Sequence, residues 1–385
     1  MAVAAFIYSD DFVGYNFGPG HALQPQRLVM TYELLTAYGA FDLPGSRLVA
    51  AQPAREGDIL LAHDPEYVEV VRRLSQGEPV ANPLIYGFGA IDNPPFAGMY
   101  EASLLYVGAS IQAAELVASG EERVAFNISG GLHHAMRSRA SGFCIFNDPV
   151  IVIQKLLREF DKVAYVDIDA HHGDGVQDAF YTSNRVLTVS IHESGAYLFP
   201  GTGYVHELGA GEGKGFSVNL PLVPGSGDAS LLSVFRQGAL PILSEFDAPV
   251  IVAQFGADGH FGDPLAHLSY TADGWLEAVR EILSLGKPTV ALGGGGYDPS
   301  AVCRMWTLAY GAMVGRGFPE EIPAEFQKRW GVKVLRDDWV PKPSASDERR
   351  VAQQAARTLE ELRRLVFPLW PGLPAGGESD GGASH

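Results

Sequence analysis

Eight short apolar runs limit what this chain can fold into. They lie at 3–8, 48–51, 124–128, 163–168, 186–191, 216–222, 250–255 and 289–294, each four to seven residues long and rich in Val and Ile. Side chains alternate between the two faces of a strand. A run that is apolar without alternation therefore buries both faces, which is the habit of parallel strands. Helical patterns separate many of the runs. Met99, Ala102, Leu105, Tyr106, Ala109, Ala113 and Leu116 fall at helical spacing within 98–119. Asp64-Pro65 reads as an N-cap with proline in the first turn of a helix at 65–75. A charged helix is predicted at 344–366, with Val351, Ala355, Leu359, Leu362 and Leu365 on one face. The alternation predicts an α/β fold, a parallel sheet of about eight strands with helices on both faces. No repeat or linker divides the chain. Residues 1–374 are expected to form one catalytic domain, and the small, polar stretch 375–385 a disordered tail.

Composition narrows the function. Hydrophobic residues make up 46% of the 385 and charged residues 19%, ample for a large core. The net charge of −17 argues against general binding to nucleic acid or an anionic membrane. Cys144 and Cys303 are the only two cysteines, too few for a disulfide framework and in keeping with a reducing compartment. The first fifteen residues lack a basic region and a long apolar core, and no run of roughly twenty apolar residues occurs anywhere. A soluble, cytoplasmic protein is expected.

Ligands of such sheets bind beyond the carboxyl ends of the strands. Polar clusters follow several runs at that end. In 166-VDIDAHHGDG-175, Asp167, Asp169 and His171 alternate and so project the same way. Carboxylates and an imidazole converging at a strand end form a candidate divalent-metal site; the plain alternative is a polar strand end with a capping aspartate. Asp258, directly after the run at 250–255, could complete a two-Asp, one-His set with Asp169 and His171, leaving coordination positions for water and substrate. That mixed donor set suits zinc, and ferrous iron fits it as well. In 129-SGGLHHA-135 a glycine loop presents His133 and His134, candidate general bases, with Asp167 and Asp174 as spare acids to orient them. In 292-LGGGGYD-298 the glycines either cradle a phosphate, with no GxxxxGK[ST] pattern in support, or bring the backbone close to a site and present Tyr297 as a donor to an oxyanion.

Together these clusters resemble the zinc-dependent histone deacetylase family, above all its bacterial acetoin-utilization branch. The likeness runs through 18-GPGHALQPQRL-28, 63-HDPEYV-68, 141-SGFCIFND-148, 165-YVDIDAHHGDGVQDAF-180, 190-SIHESGAYLFPGTG-203, 256-GADGHFGDP-264 and 293-GGGGY-297. The resemblance implies a single-domain arginase/deacetylase fold and zinc-dependent hydrolysis of an N-acetyl-lysine amide. By motif position it makes Asp169, His171 and Asp258 the metal ligands. His133 and His134 become the catalytic pair, with Asp167 and Asp174 behind them, and Tyr297 the carbonyl-polarising residue. Phe143 and Phe199 wall the acyl-lysine tunnel, with Gly142 and Leu265 nearby. Asp92 stands in place of a rim aspartate that grips substrate backbone, although its surroundings diverge. A monovalent cation such as potassium is implied near Asp167, Ser190 and Ile191, with Phe180 close by.

Departures from the family carry information too. Gln24, Pro264 and Ser300 replace basic residues that bind inositol phosphate in nuclear members, so that regulation is not expected. The ureohydrolases of the same fold hold two manganese ions and need further acids where this chain has Gly173 and His260. One metal and amide hydrolysis are therefore expected, with His260 a spare potential ligand. The implied substrate is an acetylated protein or peptide, a metabolic enzyme such as an acyl-CoA synthetase among the candidates. The alternative is an acetylpolyamine or other small amide. Oligomeric state is not legible.

Overall fold

A computed structural model of the chain describes residues 4–89 and 91–374; the tail expected at 375–385 lies outside them. The eight runs become eight strands: β1 (Ala4–Tyr8), β2 (Ser46–Ala50), β3 (Val124–Asn127), β4 (Val163–Asp167), β5 (Val186–Glu193), β6 (Ser217–Leu222), β7 (Ile251–Gln254) and β8 (Thr289–Leu292). They form one sheet in the order β2-β1-β3-β8-β7-β4-β5-β6. Every neighbouring pair is parallel.

Every residue of β1, β3, β4, β5, β7 and β8 is buried. Because alternate side chains face opposite ways, both faces of the sheet are covered. The helix Gln26–Ala37 packs on Pro299–Met313, Met99–Ala118 packs on β3 and on Asp148–Leu156, and Ala345–Leu365 packs on β6. The core reaches from Ala4 to Trp370. Among the described residues no helix is long and apolar enough to cross a membrane.

Two expectations shift. The run at 48–51 is not a doubly buried strand; β2 is the sheet's edge, and Leu48 is 42% exposed because nothing pairs beyond it. Asp64 does stand at the N-cap of Pro65–Ser75, but its carboxylate does not cap the helix. It accepts instead from Arg137 Nε and Ser138 Oγ, both at 2.7 Å. In Ala345–Leu365 the buried positions include Ala355, Leu359 and Leu362, as the pattern requires, and Ser344 Oγ caps the first turn by accepting from Asp347 N.

The strand order places the chemistry. The polar clusters that follow β3, β4, β7 and β8 come from four strands that are contiguous at the centre of the sheet. The chain leaves β3, resumes at β4, and later fills the gap with β7 and β8. Their carboxyl ends make a crevice at this change of direction, the usual ligand position of an open parallel sheet.

Candidate active site

β4 ends at Asp167, so Asp169 and His171 stand in the bend that follows it and not in strand alternation with Asp167 as expected; the bend still brings both together. Asp258, beyond β7, meets them. One donor atom of each lies within 4.8 Å of the other two, and all three side chains are buried. His171 Nδ1 is 2.9 Å from Asp258 Oδ2 and 3.2 Å from Asp169 Oδ1. Backbone amides hold the carboxylates: Ala170 N donates to Asp258 Oδ1, and His171 N and Gly295 N donate to Asp169.

Two buried carboxylates this close repel each other and need a positive charge between them. Burial and the neighbouring Asp169 push Asp258 up to about 8. Burial opposes the charged form of His171, yet Asp169 and Asp258 outweigh it and lift the imidazole to about 10. A divalent cation fits the same need with the same three donors. The two-oxygen, one-nitrogen set, with no fourth acid ligand, is that of a catalytic rather than a closed structural site. His260 does not join it. Its Nε2 is 3.1 Å from Asp337 and its Nδ1 accepts from Gly262 N, so the spare ligand weighed from sequence is engaged elsewhere.

The glycine loop after β3 brings His133 and His134 beside this set. Their Nε2 atoms are 3.0 Å apart. His133 Nδ1 lies 2.7 Å from Asp167 Oδ2, and His134 Nδ1 lies 2.7 Å from Asp174 Oδ1. The two rings respond differently. Burial disfavours a charge on both, but Asp167 and Asp169 raise His133 to about 9. Burial and then the charge of His133 hold His134 at about 4. The surroundings thus pull the two rings in opposite directions, His133 toward the charged form and His134 toward the neutral one.

Tyr297 follows the glycine run after β8. Its ring centroid is 6.1 Å from His171 and 5.8 Å from Phe143. Burial, then the charges of Asp258 and Asp169, keep the phenol protonated and so a donor. The glycines after β7 and β8 let the backbone come close to the donor set. A Cβ at Gly295 would run into the carboxylate of Asp258, and one at Gly256 into that of Asp169.

Phe199 packs 5.0 Å from the His134 ring and 6.4 Å from His171. Gly142 lies between, where any side chain would strike His134 and Phe199. Phe143 lines a small cavity beside Asp169 with His133, His134, Gly142 and Tyr297, and Phe199 borders it across Gly142 and His134, an aromatic slot at the entrance to the donor set. Asp92 is at its outer end, its Oδ2 accepting from Gly142 N at 3.0 Å. Leu265 is farther round: Asp263 accepts from both Leu265 N and Tyr297 N, tying the two loops together. Ser190 pairs in register with Asp167, its hydroxyl 2.8 Å from His192 Nδ1, and Ile191 and Phe180 are buried nearby in sequence. Cys144 is buried, and burial pushes its thiol well above the ordinary value.

Three supporting residues escaped the sequence reading. Gln254 Nε2 donates to Asp169 Oδ2 at 2.6 Å. Asp148, wholly buried, accepts from Gly131 N, Leu132 N and Ser110 Oγ and so fixes the histidine loop. Arg27 Nη1 donates to the carbonyls of Gly294 and Gly296, holding the loop that presents Tyr297. A polar residue inside an apolar run, such as Gln254, was the available signal, since a buried amide needs partners.

Comparison with known proteins agrees with this geometry. Residues 21–313 match the sequence profile of the histone deacetylase domain. The chain is 41% identical over 351 residues to the acetoin utilization protein AcuC of Bacillus subtilis (strain 168), covering 88% of this chain and 90% of that protein. It is 38% identical to histone deacetylase 9 of Arabidopsis thaliana, over 83% of this chain and 75% of the relative. The crystal structure of an HDAC homolog from Aquifex aeolicus superposes with a TM-score of 0.85 at 31% identity, over 94% of this chain and 99% of the other. The structure of an HDAC homolog complexed with SAHA superposes with the same score and identity, over 94% of this chain and 100% of the other. On these matches the chain belongs to the histone deacetylase family and is a metal-dependent deacetylase.

Proposed function

We propose that the chain is a zinc-dependent lysine deacetylase, hydrolysing the acetyl amide of acetyl-lysine in proteins or peptides. The observation that carries this reading is the pair of buried couples, His133–Asp167 and His134–Asp174, set against the Asp169, His171 and Asp258 donors under an aromatic slot. Zinc held by those three donors would supply Lewis acidity toward the acetyl carbonyl and toward water. Neutral His134 accepts the proton of the attacking water at Nε2 and later returns it to the leaving lysine amine. Asp174 fixes its tautomer through Nδ1. His133, backed by Asp167, holds positive charge beside the carbonyl as it becomes tetrahedral. The Tyr297 phenol donates to the oxyanion.

Phe143 and Phe199 order the apolar lysine stem and exclude water, Gly142 leaves the width for it, and Leu265 borders the far side. Asp92 is the group that holds substrate backbone at the rim. The family resemblance adds a monovalent cation such as potassium near Asp167, Ser190 and Ile191. Residues up to 374 act as one catalytic unit, on the support of a core that reaches from Ala4 to Trp370. Two free, buried cysteines fit a reducing, cytoplasmic setting.

The test is metal exchange. Protein stripped with a chelator is expected to lose activity on an acetyl-lysine peptide and to regain it with Zn²⁺; anaerobic Fe²⁺ is assayed in parallel. Full activity of metal-free protein overturns the reading.

A further inference from the structure

Two loops border the slot at its outer end, and both carry apolar side chains turned to solvent. The first comprises residues 83–89 and 91–92. It is docked on the slot wall: Tyr86 O accepts from Ala140 N at 2.9 Å, and Asp92 Oδ2 accepts from Gly142 N at 3.0 Å. A side chain at Gly87 would overlap the Ala140 carbonyl, so the fit is close. In this loop Leu84 is 76% exposed, Ile85 68% and Ile91 88%. The second loop runs from Ser194 to Phe199. Its Tyr197 is 60% exposed, and Phe199 itself 44%. Gly142 joins the two loops, with Asp92 on its amide and Phe199 against its α-carbon.

Among the described residues these five account for nearly half of the eleven large apolar side chains left exposed. A single exposed leucine is ordinary surface. A collar of them at the mouth of a substrate slot is a contact surface. What covers this mouth during turnover is whatever the acetyl-lysine side chain is attached to. A small acetylated amine would end inside the slot and leave the collar wet. A polypeptide lays its neighbouring residues across it.

Two forces compete for the choice of those neighbours. The net charge of −17 draws basic partners from a distance. At the mouth itself, Asp92 Oδ2 accepts from Gly142 N and Asn93 Nδ2, which fixes this one carboxylate at the rim, and the side chains around it are carbon. Leu84, Ile85, Ile91 and Tyr197 offer a basic residue no ion pair, and they gain from being covered by carbon.

We propose that this collar selects polypeptides with apolar residues on either side of the acetyl-lysine. The proposal rests on the reading of the slot as an acetyl-lysine channel.

The test compares kcat/KM of the full, zinc-loaded chain on four substrates. These are a capped single acetyl-lysine, a short peptide with Leu and Phe flanking it, a peptide of equal length with Lys and Arg flanking it, and acetylspermidine. Covering roughly 60 Å² of apolar surface is worth about tenfold in affinity, so the apolar-flanked peptide is expected to lead the basic one by about that factor. In the Ile85→Ser/Tyr197→Ser double variant the ratio falls toward one, with the thermal midpoint of unfolding reporting that the fold is kept. Ile91→Asp, on the most exposed of these side chains, removes apolar contact and offers a basic flank an ion pair, and should reverse part of the preference independently. A wild-type preference for basic flanks, a ratio the variants leave unmoved, or acetylspermidine turned over faster than either peptide overturns the collar. If capped acetyl-lysine is turned over with no flank preference, the collar fails alone. If neither it nor either peptide is turned over, the acetyl-lysine reading fails with it.

Discussion

His133 and His134 touch at their Nε2 atoms, 3.0 Å apart, and sit on opposite sides of neutrality. Adjacent positions in the chain give each ring a different carboxylate, and that difference separates their tasks. Asp167 and Asp169 together outweigh the burial of His133; Asp174 alone does not outweigh that of His134.

In the proposed mechanism the proton passes through His134. His134→Ala is expected to lower kcat by about 100- to 10,000-fold while leaving metal content unchanged. Cys144→Ser is expected to keep most of the activity, because the buried thiol stays protonated and has Gly142 O as its partner at 3.2 Å. Steady-state rates with mass spectrometry during turnover check both. Acetyl trapped on Cys144 in the wild type would demand a covalent route instead.

Metal binding should depend on each of the three converging donors. Asp169→Ala, His171→Ala and Asp258→Ala are each expected to leave the purified protein with little zinc and no activity. Elemental analysis decides it: stoichiometric metal in all three variants refutes this ligand set.

Tyr297→Phe removes one oxyanion donor and keeps the ring. Turnover is expected to fall about 100- to 1000-fold, with metal content and thermal midpoint close to wild type. Unchanged kcat in this variant would take Tyr297 out of the chemistry.

Acid should destabilise the fold partly through His63. This ring is buried, its Nε2 accepts from Asn147 N at 2.9 Å, and burial holds it at about 4 against an ordinary 6.5. Between those values the unfolded chain binds a proton that the folded chain refuses. Stability is thus full above about 6.5 and declines as the pH falls toward 4, by up to ~1.4 kcal/mol per pH unit from this group. Urea midpoints from pH 7.5 to 4.5 should show a shallower decline in His63→Gln. Equal slopes in the two proteins count against it.

Most of the frame was legible in the sequence, because a buried parallel strand writes itself as an unbroken apolar run. The edge position of β2 was not, since nothing in 48–51 says that a partner is missing. The donor set was legible on one side: Asp169 and His171 stand together in the polar cluster that closes β4, although in the bend after the strand and not in its alternation, whereas Asp258 lies 87 residues beyond His171 and is joined to it by the sheet order alone. Asp148 and Arg27 had no local signal. Asp148 reads as the start of a helix, and its amide partners lie 16 and 17 residues back. Arg27 reaches a carbonyl 267 residues away. Such partners follow from tertiary closure and leave no period behind.

The order of strands has a consequence for how the protein is made. β1 to β3 build one side of the sheet and β4 to β6 the other, and only β7 and β8 join them. A ribosome must deliver nearly 300 residues before that join can close. Until then β3 and β4 each present an unpaired edge of buried-type sequence, the kind of edge that invites pairing with another chain. Synthesis of this enzyme therefore carries a long interval in which two half-sheets wait for their keystone. Truncation between β6 and β8 leaves not a weakened site but one chain with two unjoined half-sheets, so chaperone demand and aggregation in cells should rise sharply for chains that stop there.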